Sequence, residues 1–412
     1  MKEKSKHMNI PKIRFKGFED TWKNDKIGNI GSVLMCKRIF KSQTTSIGDI
    51  PFYKIGTFGS TADAFISENL FNEYKTRFSY PQYGDILLSA AGTIGRIVEY
   101  KGEKAYFQDS NIVWVKVNGK IKNQFLKYIY SCIKWNGLEG STIKRLYNNN
   151  ILETAINYPS PEEQQKIASY FQSLDSLIQS TSKKLASLKQ IKAASLQSMF
   201  PQEGETLPKV RFKGFEGEWD KVKLSTLGQT YSGLTGKTKE DFNFGDSLYI
   251  PFLNVLLNPQ IDESNLQKVR VENNEKQNEI HKGDILFNTS SETPEEVGLC
   301  SVFMSDIKKV YLNSFCFGFR LFNNLVDPSY IVYLLRSQIG RKLMLVLAQG
   351  ATRYNLSKKS FLNAHIIIPT SQQEQQKIAS YFCNLDKQIS LQTQHLEKLK
   401  QIKAACLDKM FV

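Results

Sequence analysis

The chain has 412 residues, 55 of them Lys or Arg against 40 Asp or Glu, a formal net charge of +15. At about 100–200 residues per domain, this length predicts two or three domains, each able to bury its own core. The positive balance favours a polyanionic partner, and nucleic acid is the commonest one. No run of about 18 apolar residues is present, which excludes a transmembrane helix. The polar opening Met1-Lys2-Glu3-Lys4-Ser5-Lys6 leads into no apolar stretch of a signal peptide. Cysteines 36, 132, 300, 316, 383 and 406 and histidines 7, 281, 365 and 395 are scattered, so neither disulfides nor a metal site is expected. The expectation is a soluble, cytoplasmic protein.

Residues 1–158 read as a globular part. They open on Pro11-Lys-Ile-Arg-Phe-Lys-Gly-Phe-Glu-Asp-Thr-Trp22. Apolar runs at Asp85–Leu88 and Ile112–Val117 predict strands, and Gln124–Trp135 predicts a short helix. Gly92, Gly95, Gly102 and Gly119 punctuate the turns between them. Residues 159–201 read as a long helix, bounded by Pro159, Pro161 and Pro201. Residues 202–368 form a second globular part, with strands at Asp284–Phe287 and Cys316–Leu321 and a helix over Pro328–Leu347. Residues 369–412 form a second long helix.

The chain is thus written twice. Pro208 to Trp219 repeats the opening at nine of twelve positions. Ile50-Pro51-Phe52 recurs as Ile250-Pro251-Phe252, and Gly84-Asp85-Ile86-Leu87 as Gly283-Asp284-Ile285-Leu286. Glu163–Phe171 returns unchanged as Glu374–Phe382, and Leu188–Ser195 returns as Leu399–Cys406. Both copies end in Met-Phe. Residues 55–80 and 255–280 hardly align, so a shared framework carries divergent globular parts. Leu174, Ile178, Thr181, Leu185, Leu188, Lys192, Ser195 and Met199 trace a heptad seam, matched by Leu385, Ile389, Gln392, Leu396, Leu399, Lys403, Cys406 and Met410. Two matched seams with polar interruptions favour a mutual coiled coil. Residues 1–158 hold 24 of the basic and 14 of the acidic residues, so the positive charge lies mainly on a globular part.

Catalytic signals are weak. Gly233-Leu-Thr-Gly-Lys-Thr238 ends like a P-loop, but Tyr231 stands where the first glycine belongs. Asp85 with Glu99-Tyr100-Lys101 resembles a metal-dependent nuclease pattern, yet Asp284 is followed by no such triplet. No Ser-His-Asp or Cys-His arrangement stands out. A binding protein is the expectation.

The order of divergent domain, Pro159-Ser-Pro-Glu-Glu-Gln-Gln-Lys-Ile helix, divergent domain and the same helix after Pro369 resembles the specificity subunit of a type I restriction-modification enzyme. The resemblance covers essentially the whole chain. It implies a mixed α/β (α+β) fold with an internal pseudo-twofold repeat. Two globular target recognition domains are then separated by two long antiparallel coiled-coil helices. Each domain reads half of a bipartite double-stranded DNA target. The subunit recruits two adenine methyltransferase subunits, and two restriction subunits join them. The chain itself is non-catalytic and holds no cofactor or metal; its partners use S-adenosylmethionine, ATP and Mg²⁺.

Major-groove reading uses Arg or Lys for guanine and Asn or Gln for adenine, with Ser and Thr adaptable. In the first domain this points to Lys54, Arg77, Ser89, Thr93 and Arg96. In the second it points to Asn254, Asn288, Thr289, Ser290 and Ser291, with Arg353, Tyr354 and Asn355 in an exposed turn. Lys37, Arg38, Lys144 and Arg145 suit phosphates. The identical helix residues Gln164, Gln165, Lys166, Tyr170, Gln375, Gln376, Lys377 and Tyr381 are the candidate partner surface. Two other classes compete: a DNA-cleaving or DNA-modifying enzyme in its own right, and a structural adaptor with non-specific DNA binding. The first predicts that the isolated chain alters DNA, the second that binding lacks sequence preference.

Overall fold

The computed structural model describes residues 9–133, 135, 145–350 and 352–412. It divides into two compact units: the chain up to Ser182 together with Gln394–Val412, and Lys183–Thr393. These divisions cut through both long helices, unlike sequence boundaries drawn at 158, 201 and 368.

Unit one carries β1 (Lys23–Lys26), β2 (Gly31–Met35), β3 (Ile50–Tyr53), β4 (Phe65–Ile66), α1 (Glu68–Arg77), β5 (Ile86–Ser89), β6 (Ile97–Glu99), β7 (Tyr106–Phe107), β8 (Ile112–Val117), α2 (Asn123–Cys132), α3 (Asn148–Glu153) and β9 (Ala155–Tyr158). Strands β2, β8, β5 and β6 form an antiparallel sheet in that order. A smaller sheet runs β4–β3–β7, and β1 pairs with β9. The central strands are buried on both faces, which is why they read as unbroken apolar runs. Their side chains alternate. Ile86, Leu88, Val113 and Val115 face a core shared with α2 and α3, whereas Leu87, Ile112 and Trp114 face α1 and the smaller sheet.

Helix α4 (Pro161–Ser198) starts in unit one and ends in unit two. Unit two continues with β10 (Asp220–Lys223), α5 (Leu224–Leu227), β11 (Gly228–Ser232), β12 (Phe242–Ile250), α6 (Phe252–Leu257), β13 (Gln267–Val269), β14 (Ile285–Asn288), β15 (Ser290–Ser291), β16 (Cys300–Val302), β17 (Val310–Leu312), β18 (Cys316–Leu321), α7 (Pro328–Arg336), α8 (Gln338–Leu347), β19 (Ala348–Gln349), β20 (Tyr354–Leu356), α9 (Lys358–Asn363) and β21 (His365–Ile368). The last element, α10 (Gln372–Met410), returns to unit one. The sheet β11–β18–β14–β16 repeats the topology of β2–β8–β5–β6. Its strand residues alternate likewise, Ile285, Phe287, Phe317 and Phe319 on one face and Leu286 and Cys316 on the other.

One expected helix, 328–347, is two. Ser337 takes an extended conformation, and its Oγ accepts from the Gly340 amide at 3.4 Å, starting a new helix. Gly340 lets that helix turn close to α7; a Cβ there would lie 2.2 Å from the Leu334 carbonyl.

The expected heptad seam is buried at Leu174, Thr181, Leu185, Leu188 and Met199, and at Leu385, Leu396, Leu399 and Met410. Four of its polar interruptions, Lys192, Ser195, Lys403 and Cys406, are paired within their own unit. In unit one Tyr170 meets Cys406 at 3.4 Å, and Asp175 meets Lys403 at 2.6 Å. In unit two Ser195 meets Tyr381 at 2.9 Å, and Lys192 pairs with Asp386. Both sets of pairs run antiparallel. The Met-Phe at each helix end packs into the unit opposite its own repeat. Phe411 stacks on Phe125 in unit one, with centroids 5.5 Å apart, and Phe200 stacks on Phe382 in unit two at 5.8 Å.

Candidate nucleic-acid interface

Packing accounts for most of the repeated helix residues. Arg14 grips Glu163 through two bonds of 2.7 and 2.8 Å, and Arg211 grips Glu374 at 2.6 and 2.8 Å. Gln164 and Gln375 are buried. Gln164 donates to the carbonyls of Lys120 and Pro159 and accepts from the Lys122 amide. Gln375 donates to the Pro369 carbonyl and accepts from the Asp327 amide. Lys166 lies over Phe15 and Phe18, and Lys377 over Phe212 and Phe215. Tyr170 and Tyr381 are the cross-helix partners described above. The expectation that these side chains form a partner surface is therefore corrected for Gln164 and Gln375, whose polar atoms serve their own unit. Gln165, which accepts from Lys122, and Gln376 remain exposed.

Sheet topology decides which loops share a surface. In unit one β2 and β5 end where β6 and β8 begin, so the loops 36–41, 90–96 and 108–111 meet at one end of the sheet. The segment ahead of α3 joins them through the Ala91–Arg145 bridge. A hollow of about 320 Å³ opens here among Met35, Ala90, Ser110 and Arg145. Its rim is basic. Arg145 donates to Asn111 Oδ1 at 3.1 Å, Arg38 to Asp109 at 2.9 Å, and Lys37 lies 5.1 Å from the Phe78 ring beside Arg77. Arg96 donates to the Phe58 carbonyl at 2.7 Å, and Lys54 pairs with Asp63 at 2.9 Å. Thr93 is exposed between them. Ser89 is different: buried, it donates to the Thr93 carbonyl and accepts from the Arg96 amide. It shapes the loop and is not available to a base. Lys144 lies outside the described residues.

Unit two builds the same end mainly from Ser, Thr and Asn residues, with Arg353 beside them. Ser290 and Ser291 pair with Asn355 and Tyr354, so the two polar segments chosen from sequence lie side by side. Thr289 and Tyr354 are half-buried, and Arg353 and Asn355 exposed. Asn288 is buried, donating to the Glu296 carbonyl and accepting from the Ser290 amide. Ser291 bonds Glu296, and Asn254 bonds the Asp262 backbone; both are buried. Base contact by Asn254, Asn288 and Ser291 is therefore corrected to a loop-holding role. Sequence reasoning missed Lys358, which donates to Ser232 at the same sheet end at 2.6 Å, and the exposed Phe315. It also missed Asp109 and Asn111, which aim Arg38 and Arg145. Nothing local marks these four; only strand register brings them to this end.

The catalytic look-alikes are engaged elsewhere. Lys237 pairs with Glu275 at 2.5 Å, and Gly233 is required because a Cβ would lie 2.0 Å from the Asn313 carbonyl. Glu99 pairs with Lys127, and Asp85 accepts from Asn123 and the Gln82 amide. Asp284 takes a two-bonded grip from Arg320 at 2.9 and 2.6 Å, which raises that guanidinium's pKa. Burial pushes the Cys36 and Cys316 thiols up to about 12, which removes both as nucleophiles near neutrality. Among the described residues no helix is long and apolar enough to cross a membrane.

The sequence profile of the type I restriction modification DNA specificity domain matches residues 19–190 and again 216–401. The chain belongs to this family. Its role in a type I system is DNA specificity, which is recognition and not catalysis. A provisionally named type I restriction enzyme specificity subunit of Haemophilus influenzae is 52% identical over 156 residues, 38% of this chain and 40% of that protein. A type I restriction enzyme specificity subunit of Methanocaldococcus jannaschii is 26% identical over 388 residues, covering 85% of this chain and 82% of its own length. The fold is that of the type I restriction-modification S subunit from M. genitalium, with a TM-score of 0.63 at 16% identity over 98% of this chain and 99% of that one.

Proposed function

We propose that this specificity subunit reads a bipartite double-stranded DNA target, one half with the sheet-end loops of each unit. It holds two adenine methyltransferase subunits, which restriction subunits join. The observation that carries this reading is the same loop-bearing sheet end built twice on one framework, with different residues at its tip. A duplicated chain lets the two halves diverge, so the target need not be a palindrome. In unit one, Arg96 and Arg145, the latter expected from sequence at a phosphate but held by Asn111 at the sheet end, suit base edges, while Arg77 and Lys54, expected at bases, join Lys37 and Arg38 as phosphate contacts. In unit two, Thr289, Ser290, Arg353, Tyr354 and Asn355 supply the reading surface. The chain holds no cofactor; S-adenosylmethionine belongs to the methyltransferase, and ATP and Mg²⁺ to the restriction subunits. It acts on cytoplasmic DNA.

The test is base-modification sequencing of host DNA with and without the gene. Loss of N6-methyladenine at one two-part motif with a fixed unread gap supports the reading. Unchanged methylation beside an active methyltransferase sinks it and favours an adaptor role.

A further inference from the structure

The two sheet ends match in strand register, and one of the positions that differ changes from polar to aromatic. Ser89 faces Ile112 across β5 and β8, as Asn288 faces Cys316 across β14 and β18. The residues just before those strands, Asn111 and Phe315, therefore occupy equivalent places. Each carbonyl accepts from the facing loop, from the Ala90 amide at 2.7 Å and the Thr289 amide at 3.1 Å. In unit one the place is polar, and Asn111 holds Arg145. In unit two it is a phenyl ring, 62% exposed.

The turn that presents this ring is anchored. The Phe315 amide donates to Asn313 Oδ1 at 2.9 Å, and the buried Asn313 donates to the Ile250 carbonyl at 3.0 Å. The backbone under the ring is thereby fixed at the place where unit one sets Asn111, which holds the Arg145 guanidinium. In the major groove the apolar feature of a base pair is the thymine C5-methyl, and the strongest acceptor pair is guanine O6 and N7. Resting on the proposed function above, we infer that Phe315 is a specificity residue that packs on a thymine methyl in unit two's half-site, while Arg145, held by Asn111 at the matching place, reads guanine in the other half.

The test uses the full chain co-expressed with its methyltransferase. The wild-type motif is read first, then those of Phe315→Ala, Phe315→Leu and Arg145→Ala. The Phe315→Ala chain should relax one A·T position in one half, Arg145→Ala a G·C position in the other, and Phe315→Leu should keep the thymine preference. On a synthetic duplex of the motif, deoxyuridine at that thymine removes the methyl alone. It should weaken wild-type binding about fourfold, as expected for one apolar carbon, and leave Phe315→Ala binding unchanged. A two-part wild-type motif that Phe315→Ala leaves intact, or indifference of the wild type to uracil at every thymine of that half, overturns this inference alone. Relaxation of the same half by both alanine variants also overturns it. Absence of any two-part motif overturns the proposed function as well.

Discussion

Arg38 and Lys37 sit at adjacent positions on the basic rim, held in different ways. Arg38 is paired with Asp109 but is 61% exposed, and such an exposed pair contributes little stability. It can be exchanged for a phosphate at small cost. Lys37 is exposed, with its ammonium over the Phe78 ring. Each phosphate contact contributes about 0.9 to the slope of log affinity against log salt. Lys37→Ala should therefore lower that slope by about one without altering the motif, read by titrating binding at several salt concentrations. Glu374 presents the opposite case. It is 1% exposed and both its oxygens meet Arg211. Glu374→Ala leaves the mostly buried Arg211 guanidinium without its counter-ion, bonded only to the Glu216 and Gly217 carbonyls, and should cost about 3 kcal/mol of stability, measured by denaturant unfolding of the whole chain. A loss within a few tenths of a kcal/mol would refute the buried-pair account.

At the scale of elements, the exchanged helix ends matter most. The repeat alone suggests that each long helix completes the domain it follows. Instead the Met-Phe that closes one repeat fills the core of the unit built mainly from the other. Phe411 touches Trp22, Phe125 and Phe171, all in unit one. Deleting Met410–Val412 should thus speed hydrogen exchange around Trp22 and Phe125 while leaving the amides near Tyr330 and Phe382 protected. Equal loosening of both units would contradict the exchange. The same logic explains much of the identity of Glu163–Phe171 and Glu374–Phe382. Each segment docks against Arg, Phe and Tyr residues that are themselves repeated, and this shared environment accounts for the buried positions, while Gln165 and Gln376 stay exposed.

At the scale of the whole molecule, both long helices pass from one unit into the other without a break. Asp175 faces Lys403, so Ser180 lies level with Lys398 in the antiparallel register. Four residues inserted after each of these two positions lengthen both helices by about 6 Å, close to two base pairs. Under the proposed function the methylated motif should keep both halves and gain about two unread positions. Modification sequencing that returns the original gap would show that the helices do not set the spacing.

The duplication, the heptad seam, the absence of a membrane-spanning stretch and the mixed α/β class were all legible in the sequence. They depend on periodicity and identity, which neighbours along the chain carry. The β8 and β18 spans were legible for the same reason, because strands buried on both faces must be apolar throughout. The site was only partly legible. The loops after Leu88 and Phe287 and the turn at 353–355 were chosen from sequence as separate candidates, and strand register brings them to a sheet end with Arg145 or Asn355, but Ser89, Asn288 and Ser291 turned inward. A short polar side chain in a tight loop can bond its own backbone or face solvent, and local sequence does not choose between these. The tertiary structure chose by strand register: it set Asn111 and Phe315 at equivalent points, placed Lys358 beside Ser232, and carried each helix end into the opposite unit. Those are contacts between residues far apart in the chain, and only packing of the complete fold determines them.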